Sequence, residues 1–231
     1  MPRSADTIPT SEAAREAART TARALLDIGA VTFRPDEPFT FTSGRVAPTY
    51  VDCRRIISFP RARAAIMRMA VAQIDRECGV EAFDAIAGGE TAGIPFAAWI
   101  AEAMGLPMLY VRKQAKGFGR MAQIEGEFRA GARVLLVEDL ATDGGSKVRF
   151  IDALRKADAV VAHTWVVFHY GIFAESTENI AKLGVKLHAL ATFWDVLDVA
   201  RDEQRYPPAA LAAVESYLGS PNTWQAPAKA G

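Results

Sequence analysis

Short apolar runs alternate with longer amphipathic segments between residues 80 and 190, which is the pattern of a parallel sheet with helices on both faces. The predicted strands are Phe83–Ala87, Met108–Val111, Val134–Val137, Val160–Phe168 and Val185–Leu190, and the predicted helices between them are Ile94–Met104, Lys147–Lys156 and Glu175–Leu183. In such sheets ligands bind at the carboxyl ends of the strands, so the loops at that edge are the first candidates for chemistry.

The segments on either side of this alternation predict further elements. Ser11–Ile28 has a helical repeat rich in alanine, arginine and glutamate, and Ser11 is a suitable N-cap. The remaining predicted elements are strands Thr40–Ser43 and Thr49–Cys53 around a Gly44-Arg45 turn, and helices Arg61–Arg76, Phe193–Arg201 and Ala209–Leu218. We therefore predict a small N-terminal hood at residues 1–58, a core at residues 59–219 and a disordered tail at residues 220–231.

Composition and charge argue against several functions. Lysine plus arginine equals aspartate plus glutamate, at 27 each in 231 residues, so the chain has no net field to attract nucleic acid or an acidic membrane. No apolar run reaches membrane-spanning length and no apolar leader is evident, so we expect a cytoplasmic protein. The two cysteines lie in no C-x-x-C motif and are expected to be free thiols. The three histidines show no H-x-x-x-H spacing, so the sequence predicts no zinc site built by the protein.

The most informative stretch is RVLLVEDLATDGGSK, from Arg133 to Lys147. A strand of the kind buried on both faces is followed by Glu138 and Asp139, and then by a Gly-rich turn and a helix. Backbone N–H groups in such a turn and at a helix N-terminus bind anions, and the carboxylates can accept hydrogen bonds from vicinal hydroxyls. This pattern indicates a site for a phosphorylated sugar. A Gly-Gly turn alone also occurs where nothing binds, but two adjacent carboxylates are costly to bury unless they are partnered.

Two further loops carry candidate chemistry. Gly88–Gly93 follows the first core strand, and its amides can hold a second phosphate group, the alternative being a plain tight connection. The loop Arg112–Phe128 contains Arg112, Lys113, Lys116 and Arg120 together with Gly117 and Gly119. It is either a solvated charged loop or a mobile flap whose cations stabilise a departing diphosphate and whose closure excludes water.

Four motifs resemble those of the type I phosphoribosyltransferases, and of the orotate phosphoribosyltransferases among them. VLLVEDLATDGGS resembles the signature for phosphoribosyl diphosphate (PRPP), AGGETAGIP the diphosphate loop, RKQAKGFG with the following IEG the catalytic loop, and FTFTSGRVAPTYVDCR the stretch that contacts orotate. The resemblance implies the α/β fold of that family, a parallel sheet with helices on both faces plus an N-terminal hood. It also implies transfer of the phosphoribosyl group of PRPP to orotate, which yields orotidine 5′-phosphate and diphosphate in de novo pyrimidine synthesis.

The resemblance implies roles for individual residues. The implied PRPP-binding set is Glu90, Thr91, Ala92, Arg112, Lys113, Lys116, Glu138, Asp139, Ala141, Thr142, Asp143, Gly144, Gly145 and Ser146. The implied catalytic residues are Arg112, Lys113, Lys116, Asp139 and Asp143, and the implied orotate contacts are Thr42, Arg45, Tyr50, Val51, Thr142 and Tyr170. Mg²⁺ is the implied cofactor, held mainly by substrate oxygens rather than by protein ligands. A homodimer is implied because this family's loop often closes over the partner subunit's site.

Three positions depart from the family pattern. Thr42 stands where a lysine is common, Phe118 where the loop commonly has a histidine, and His169-Tyr170 where an Asp-Arg pair often follows the fourth core strand. These departures bear on the nucleobase more than on PRPP. Two alternatives therefore stay open at this stage: a phosphoribosyltransferase for another nucleobase, and a non-catalytic regulator of the same fold that senses PRPP or a nucleotide.

Overall fold

The computed structural model describes residues 11–41, 44–117, 119, 121–142 and 145–226. The elements in chain order are α1 (Glu12–Asp27), β1 (Val31–Phe33), β2 (Phe39–Thr40), β3 (Val46–Ala47), β4 (Thr49–Val51), a 3₁₀ helix (Cys53–Ser58), α2 (Pro60–Cys78), β5 (Ala85–Gly89), α3 (Gly93–Met104), β6 (Met108–Val111), β7 (Ile124–Glu125), β8 (Arg133–Ala141), α4 (Gly145–Lys156), β9 (Val160–His169), α5 (Ala174–Ala181), β10 (Lys186–Thr192), α6 (Phe193–Asp202) and α7 (Pro208–Gly219). None of the helices in these residues is long and apolar enough to cross a lipid bilayer.

The described chain divides into two compact units. The sheet unit contains residues 61–169 and 174–190, and the hood unit contains residues up to 60, 170–173 and 191 onward. The predicted division had placed α6 and α7 in the core, whereas here they belong to the unit of the N-terminal segment. The reason is long-range packing, which a boundary drawn along the sequence does not capture.

Helices from the two ends of the chain hold the hood unit together. α1 packs against α6, and α6 packs against α7. Arg19 forms an ion pair with Asp202 at 2.8 Å, and Arg205 forms one with Asp27 at 2.6 Å. Because surface pairs of this kind contribute at most about 1 kcal/mol each, the apolar contact between the helices is the main stabilising term.

The small strands of the hood unit pair differently from the prediction. β2 and β3 form the antiparallel hairpin around Gly44 and Arg45, and β4 pairs with β1. The sequence analysis missed β1 and expected the segment containing β4 to flank that turn. In the predicted tail, Trp224 packs edge to face on Tyr217 with ring centroids 5.8 Å apart, so the tail contacts α7 through this residue.

A six-stranded sheet in the order β10-β9-β8-β5-β6-β7 forms the centre of the sheet unit. β5 runs parallel to β6 and to β8, and β8 runs parallel to β9. β7 is an antiparallel edge strand that lies within the segment predicted to be a loop. The sequence analysis missed it because it pairs with β6 through only two residues, which is too short for a periodic pattern. The parallel-rich sheet confirms the predicted fold class.

Helices cover both faces of this sheet, as predicted. Successive residues of a strand point to opposite faces. Gly88 of β5 lies against the start of α3, whereas Gly89 lies against Phe150 of α4. The core on the α4 face is formed by apolar residues of strands and helix, among them Ala87, Val111, Leu136, Ile151 and Leu154.

Candidate active site

Two carboxylates lie inside β8 rather than after it. The sequence predicted that the strand ends at Val137, but β8 stays paired with β9 as far as the pair Ala141 and His169. Glu138 and Asp139 are therefore held within the sheet, with only 6% and 8% of their surfaces exposed. Backbone pairing on β8 fixes the positions of both side chains more firmly than a loop would.

Burial makes ionisation of this pair costly. Loss of solvation raises the pKa of both Glu138 and Asp139, and the positive charge of Lys147 opposes the rise at both groups. The two carboxyl groups also interact with each other, so they titrate as a pair. Their fully ionised form consequently gains from any ligand that brings hydrogen-bond donors or a cation.

Lys147 is a functional candidate that the sequence analysis missed. It lies in the first turn of α4, is only 3% exposed, and donates from Nζ to the carbonyl oxygen of Leu140 at 2.6 Å. The prediction treated Lys147 only as the start of a helix. A signal was nevertheless present, because Lys147 shares the buried stripe of α4 with Phe150, Ile151 and Leu154.

The Gly88–Gly93 loop lies directly against Glu138. A Cβ atom on Gly89 would come within 1.8 Å of Glu138 Oε1, and a Cβ on Gly93 within 2.5 Å of the carbonyl oxygen of Val137. Any side chain at Gly89 would therefore displace the Glu138 carboxylate and the ring of Phe150, and one at Gly93 would displace the end of the strand. The glycines allow the close approach that brings the two predicted loops together at the carboxyl ends of β5 and β8.

The remaining residues of this loop contact the segment after β6. The backbone N–H of Glu90 donates to the oxygen of Val111 at 2.8 Å, and the N–H of Lys113 donates to Glu90 Oε2 at 2.7 Å. The peptide bond between Glu90 and Thr91 is cis, and Thr91 and Ala92 lie exposed and half-buried, respectively. The predicted diphosphate loop thus sits beside the start of the cationic segment.

The cationic segment is the connection of the β6–β7 hairpin. Arg112 donates from its backbone N–H to the oxygen of Gln123 at 2.7 Å, and its guanidinium pairs with Glu125 at 3.2 Å. The buried Nε of Arg112 has no hydrogen-bond partner among the described residues. Lys113 and Lys116 have exposed side chains. One fixed cation and two solvent-accessible cations are therefore available here, while Phe118 and Arg120 lie outside the described residues.

The predicted phosphate turn connects β8 to α4. Ala141 is buried, Thr142 is half-buried, and Gly145 and Ser146 are exposed in the first turn of α4. Asp143 and Gly144 lie outside the described residues. The helix N-terminus thus begins a few residues after the buried carboxylates, an arrangement suited to an anion beside a group of hydroxyls.

His169 ends β9 beside Ala141. Its Nε2 and Ser176 Oγ are 2.7 Å apart, and burial, with a smaller contribution from Lys147, lowers the pKa of His169 to about 4. The imidazole is therefore neutral at physiological pH. It supplies no positive charge at the place where the sequence analysis noted a missing arginine.

The predicted base-contacting residues of the hood unit fall into two groups. Arg45 is exposed, with its guanidinium 4.2 Å from the ring centroid of Phe173, and Tyr50 is half-buried. Val51 and Tyr170 are buried, and the Tyr170 ring lies 6.3 Å from that of Phe173. Arg45 and Tyr170 thus both lie beside the ring of Phe173. Thr42 lies outside the described residues.

Known proteins show the same fold and sequence pattern. The chain belongs to the phosphoribosyl transferase domain family, whose sequence pattern matches residues 58–204. A protein of Cereibacter sphaeroides named orotate phosphoribosyltransferase is 58% identical over 219 residues, which is 94% of each chain. The crystal structure of orotate phosphoribosyltransferase from Aeropyrum pernix is 29% identical with a TM-score of 0.67, covering 80% of this chain and 99% of that one.

A longer relative is also similar in structure. The UMP synthase of Leishmania donovani is 31% identical with a TM-score of 0.76 over 89% of this chain. The present chain spans 43% of the length of that synthase.

Proposed function

We propose that this protein is an orotate phosphoribosyltransferase, which transfers the phosphoribosyl group of PRPP to orotate and releases diphosphate. The observation that carries the proposal is the buried Glu138–Asp139 pair against Gly89, in a chain that is 58% identical to a protein of that name over 94% of its length. Neither alternative, another nucleobase or a non-catalytic regulator, is favoured by the curated relatives.

The carboxylate pair is assigned to the ribose of PRPP. Ionised carboxylates only accept hydrogen bonds, and the vicinal 2′- and 3′-hydroxyls are donors. Glu138 and Asp139 are buried and interact with one another, so the hydroxyls would provide the partners that their ionised forms need. Lys147 contributes by favouring the ionised state.

The two anionic ends of PRPP are assigned to different loops. Residues 141–146, with Asp143 as a base or a helix cap, hold the 5′-phosphate at the start of α4. Glu90, Thr91 and Ala92 hold the diphosphate together with Arg112, Lys113 and Lys116. Charge develops on the leaving diphosphate in the transition state, and a well-placed donor there is worth about 3 kcal/mol.

Mg²⁺ is proposed as the cofactor. The carboxylate oxygens of Glu138 and Asp139 are hard donors of the kind that Mg²⁺ accepts, and the ion keeps several ligands from water and substrate phosphates. These residues therefore fit a Mg²⁺ ion carried by PRPP. When bound, the ion would neutralise part of the charge of the diphosphate.

Orotate is assigned to Arg45 and Tyr50 of the hood unit together with Thr42, Val51 and Tyr170 of the same unit. Orotate carries a carboxylate, and Arg45 is a permanent cation with an exposed side chain. Because Thr42 stands where the family commonly has a lysine and His169-Tyr170 where it often has an Asp-Arg pair, Arg45 bears more of this recognition.

An assay with purified chain, PRPP and Mg²⁺ tests the function. Orotate, uracil, hypoxanthine and adenine are offered separately, and we expect consumption of orotate alone, with one diphosphate released per orotate consumed. Consumption of a different base would overturn the choice of substrate, and PRPP binding without turnover of any base would favour the regulator.

Asp139→Asn tests the ribose assignment. Loss of hydrogen bonds to a charged acceptor should raise KM for PRPP by roughly tenfold to a hundredfold. Asp152→Asn, on the exposed side of α4, serves as the matched control. An unchanged KM in a folded Asp139→Asn protein would contradict the assignment.

A cytoplasmic homodimer is proposed in addition, with the cationic loop serving the partner's site. Light scattering should give twice the chain mass. At a PRPP concentration well below the raised KM of Asp139→Asn, neither variant alone should be active. Mixing Asp139→Asn subunits with Lys113→Ala/Lys116→Ala subunits should restore activity, because one heterodimer site then combines an intact loop with an intact carboxylate pair. If the loop serves its own subunit, the mixture stays inactive.

A further inference from the structure

Three metal-ligand side chains from three elements converge in the sheet unit, away from the carboxylate pair. Cys78 is the last residue of α2, His163 lies on β9 and His188 on β10. Their ligand atoms all lie within 4.8 Å of one another, and among the described residues they form the one such group of histidine, cysteine and acidic side chains. His163 pairs with Leu135, three residues before Glu138 and so about 10 Å away along the strand direction.

We infer that Cys78, His163 and His188 form a binding site for a thiophilic divalent cation, for which Zn²⁺ is the best match. Cys78 Sγ lies 3.7 Å from His163 Nδ1 and 3.6 Å from His188 Nε2. Tetrahedral zinc with its usual bond lengths places sulfur and nitrogen ligands about 3.6 Å apart and two nitrogens about 3.3 Å apart. The two nitrogens are 2.9 Å apart, so they need to separate by about 0.4 Å, which small ring rotations can supply.

His188 is oriented as a metal-binding histidine is. Its Nδ1 lies 2.7 Å from Glu77 Oε2, so the proton on Nδ1 points to the carboxylate and the lone pair of Nε2 faces Cys78 and His163. A carboxylate behind a ligating histidine fixes the tautomer and raises the basicity of the ring.

Glu77 is an exposed residue, and its carboxylate is held in place by hydrogen bonds that lead to the buried Gln73 and Trp165. Gln73 donates from Nε2 to Glu77 Oε1 at 3.1 Å and to the oxygen of Ala189 at 3.0 Å, and it accepts from Trp165 Nε1 at 3.0 Å. Both sides of the Gln73 amide are therefore committed. The cluster has a rigid supporting layer, which a group of exposed side chains on a surface would lack.

Charge and access also fit a cation. Cys78 lies at the C-terminus of α2, where the helix dipole favours positive charge. A divalent ion with one thiolate and the Glu77 carboxylate gives no net charge, although the nearby Lys186 adds one positive charge. His188 is buried but Cys78 and His163 are half-buried, so an ion can enter and the fourth position can hold water.

The thiolate decides which cations are accepted. Sulfur and imidazole ligands select zinc and similar ions, whereas Mg²⁺ takes oxygen ligands, so this site is chemically distinct from the one proposed for PRPP. Because its ligands come from α2, β9 and β10, an ion held here joins a helix end to two neighbouring strands and stabilises the folded chain.

Zinc retention by the full chain, purified without a polyhistidine tag, tests the inference. The protein is stripped with a chelator, exposed to Zn²⁺ in the presence of excess Mg²⁺, and freed of unbound ions by gel filtration. We expect about one Zn²⁺ per chain. Co²⁺ in its place should give a thiolate-to-cobalt absorption band and the intense visible bands of a tetrahedral site. Failure to retain Zn²⁺ would show a hydrogen-bonded cluster that binds no metal, and a cobalt spectrum without the thiolate band would show that Cys78 is not a ligand. Either result would overturn the inference.

Variants separate the site from other metal-binding groups. Cys78→Ser and His163→Gln should abolish retention, and Glu77→Gln should weaken affinity by roughly tenfold to a hundredfold. Cys53→Ser, which changes the other cysteine, should retain Zn²⁺. Circular dichroism in chelator checks that each variant is folded, and the half-buried His163 provides the ligand variant least dependent on core packing. Equal zinc retention by wild type and folded His163→Gln would overturn the inference.

Discussion

Replacing Glu138 by glutamine should stabilise the ligand-free protein, and more so at alkaline than at acidic pH. Glutamine keeps the shape of the side chain but stays neutral, so it removes the need to bury a charge. The pH dependence separates this effect from any other effect of the amide, because the amide does not titrate.

The expected size follows from the burial of the carboxylate. Burial raises the pKa of Glu138 from 4.5 to about 8, so the folded chain binds this proton more tightly than the unfolded chain. Wild-type stability therefore falls as the pH rises between these two values. At 1.36 kcal/mol per pKa unit the full shift corresponds to about 5 kcal/mol at most. Because Asp139 titrates with Glu138, the shift belongs to the pair rather than to one residue, and we expect about 2 kcal/mol, or about 4–8 °C in Tm.

Thermal unfolding at about pH 5.5 and about pH 8.5, between and above the two pKa values, measures this effect. The Tm difference between Glu138→Gln and wild type should be several degrees larger at the higher pH. Glu178→Gln, which changes an exposed glutamate of α5, should show the same small difference at both values. If the Glu138→Gln difference does not depend on pH, the carboxylate is not desolvated and the charge argument fails.

Three further changes test the remaining parts of the site. Lys147→Met should move the acid limb of the pH profile of kcat/KM for PRPP to higher pH by about one unit or more, since the lost cation no longer lowers the carboxylate pKa values. Lys156→Met, in the last turn of the same helix, should leave the profile in place. If the profiles of Lys147→Met and wild type coincide, the charge effect is contradicted. Gly89→Ala, whose Cβ would lie 1.8 Å from a carboxylate oxygen, should raise KM for PRPP by about tenfold, and an unchanged KM would mean that the carboxylate can move aside. Lys113→Ala/Lys116→Ala should lower kcat by roughly 10²–10³-fold at an unchanged Tm because both side chains are exposed; full activity in this variant would remove the loop from the reaction.

Elements with strong local signals could be predicted from the sequence. Ser11 accepts from the backbone N–H of Ala14 at 3.1 Å, so the predicted N-cap of α1 is confirmed. The order of strands and helices in the sheet unit follows from apolar runs that are long enough to be buried, such as Val134–Val137. The Gly88–Gly93 turn was recognised from its composition, and the clearance of Gly89 from Glu138 gives the physical reason for one of its glycines.

Features that depend on distant partners could not be predicted. β1 and β4 are three residues each, too short for a periodic pattern, and they exist because they pair with one another. The end of β8 was misplaced because Glu138 and Asp139 read as polar, whereas their pairing with β9 keeps them in the sheet. Cys78 and His188 are 110 residues apart, so no local spacing could reveal that they meet.

The carboxylate pair shows why the site is built inside the sheet rather than on a loop. A loop would leave both groups solvated and ionised, and a ribose hydroxyl would then have to displace water from each of them. In β8 both carboxyl groups are largely shielded from water and, among the described residues, have only backbone hydrogen bonds and the bond to each other. The hydroxyls of the proposed ribose would add hydrogen bonds that are stronger in a medium of low dielectric constant. The same burial opposes ionisation in the free protein, and the positive charge of Lys147, whose Nζ donates to the oxygen of Leu140, limits that cost. Under the proposed ribose-binding role, the burial that lowers stability at the strand end would also raise affinity for the sugar.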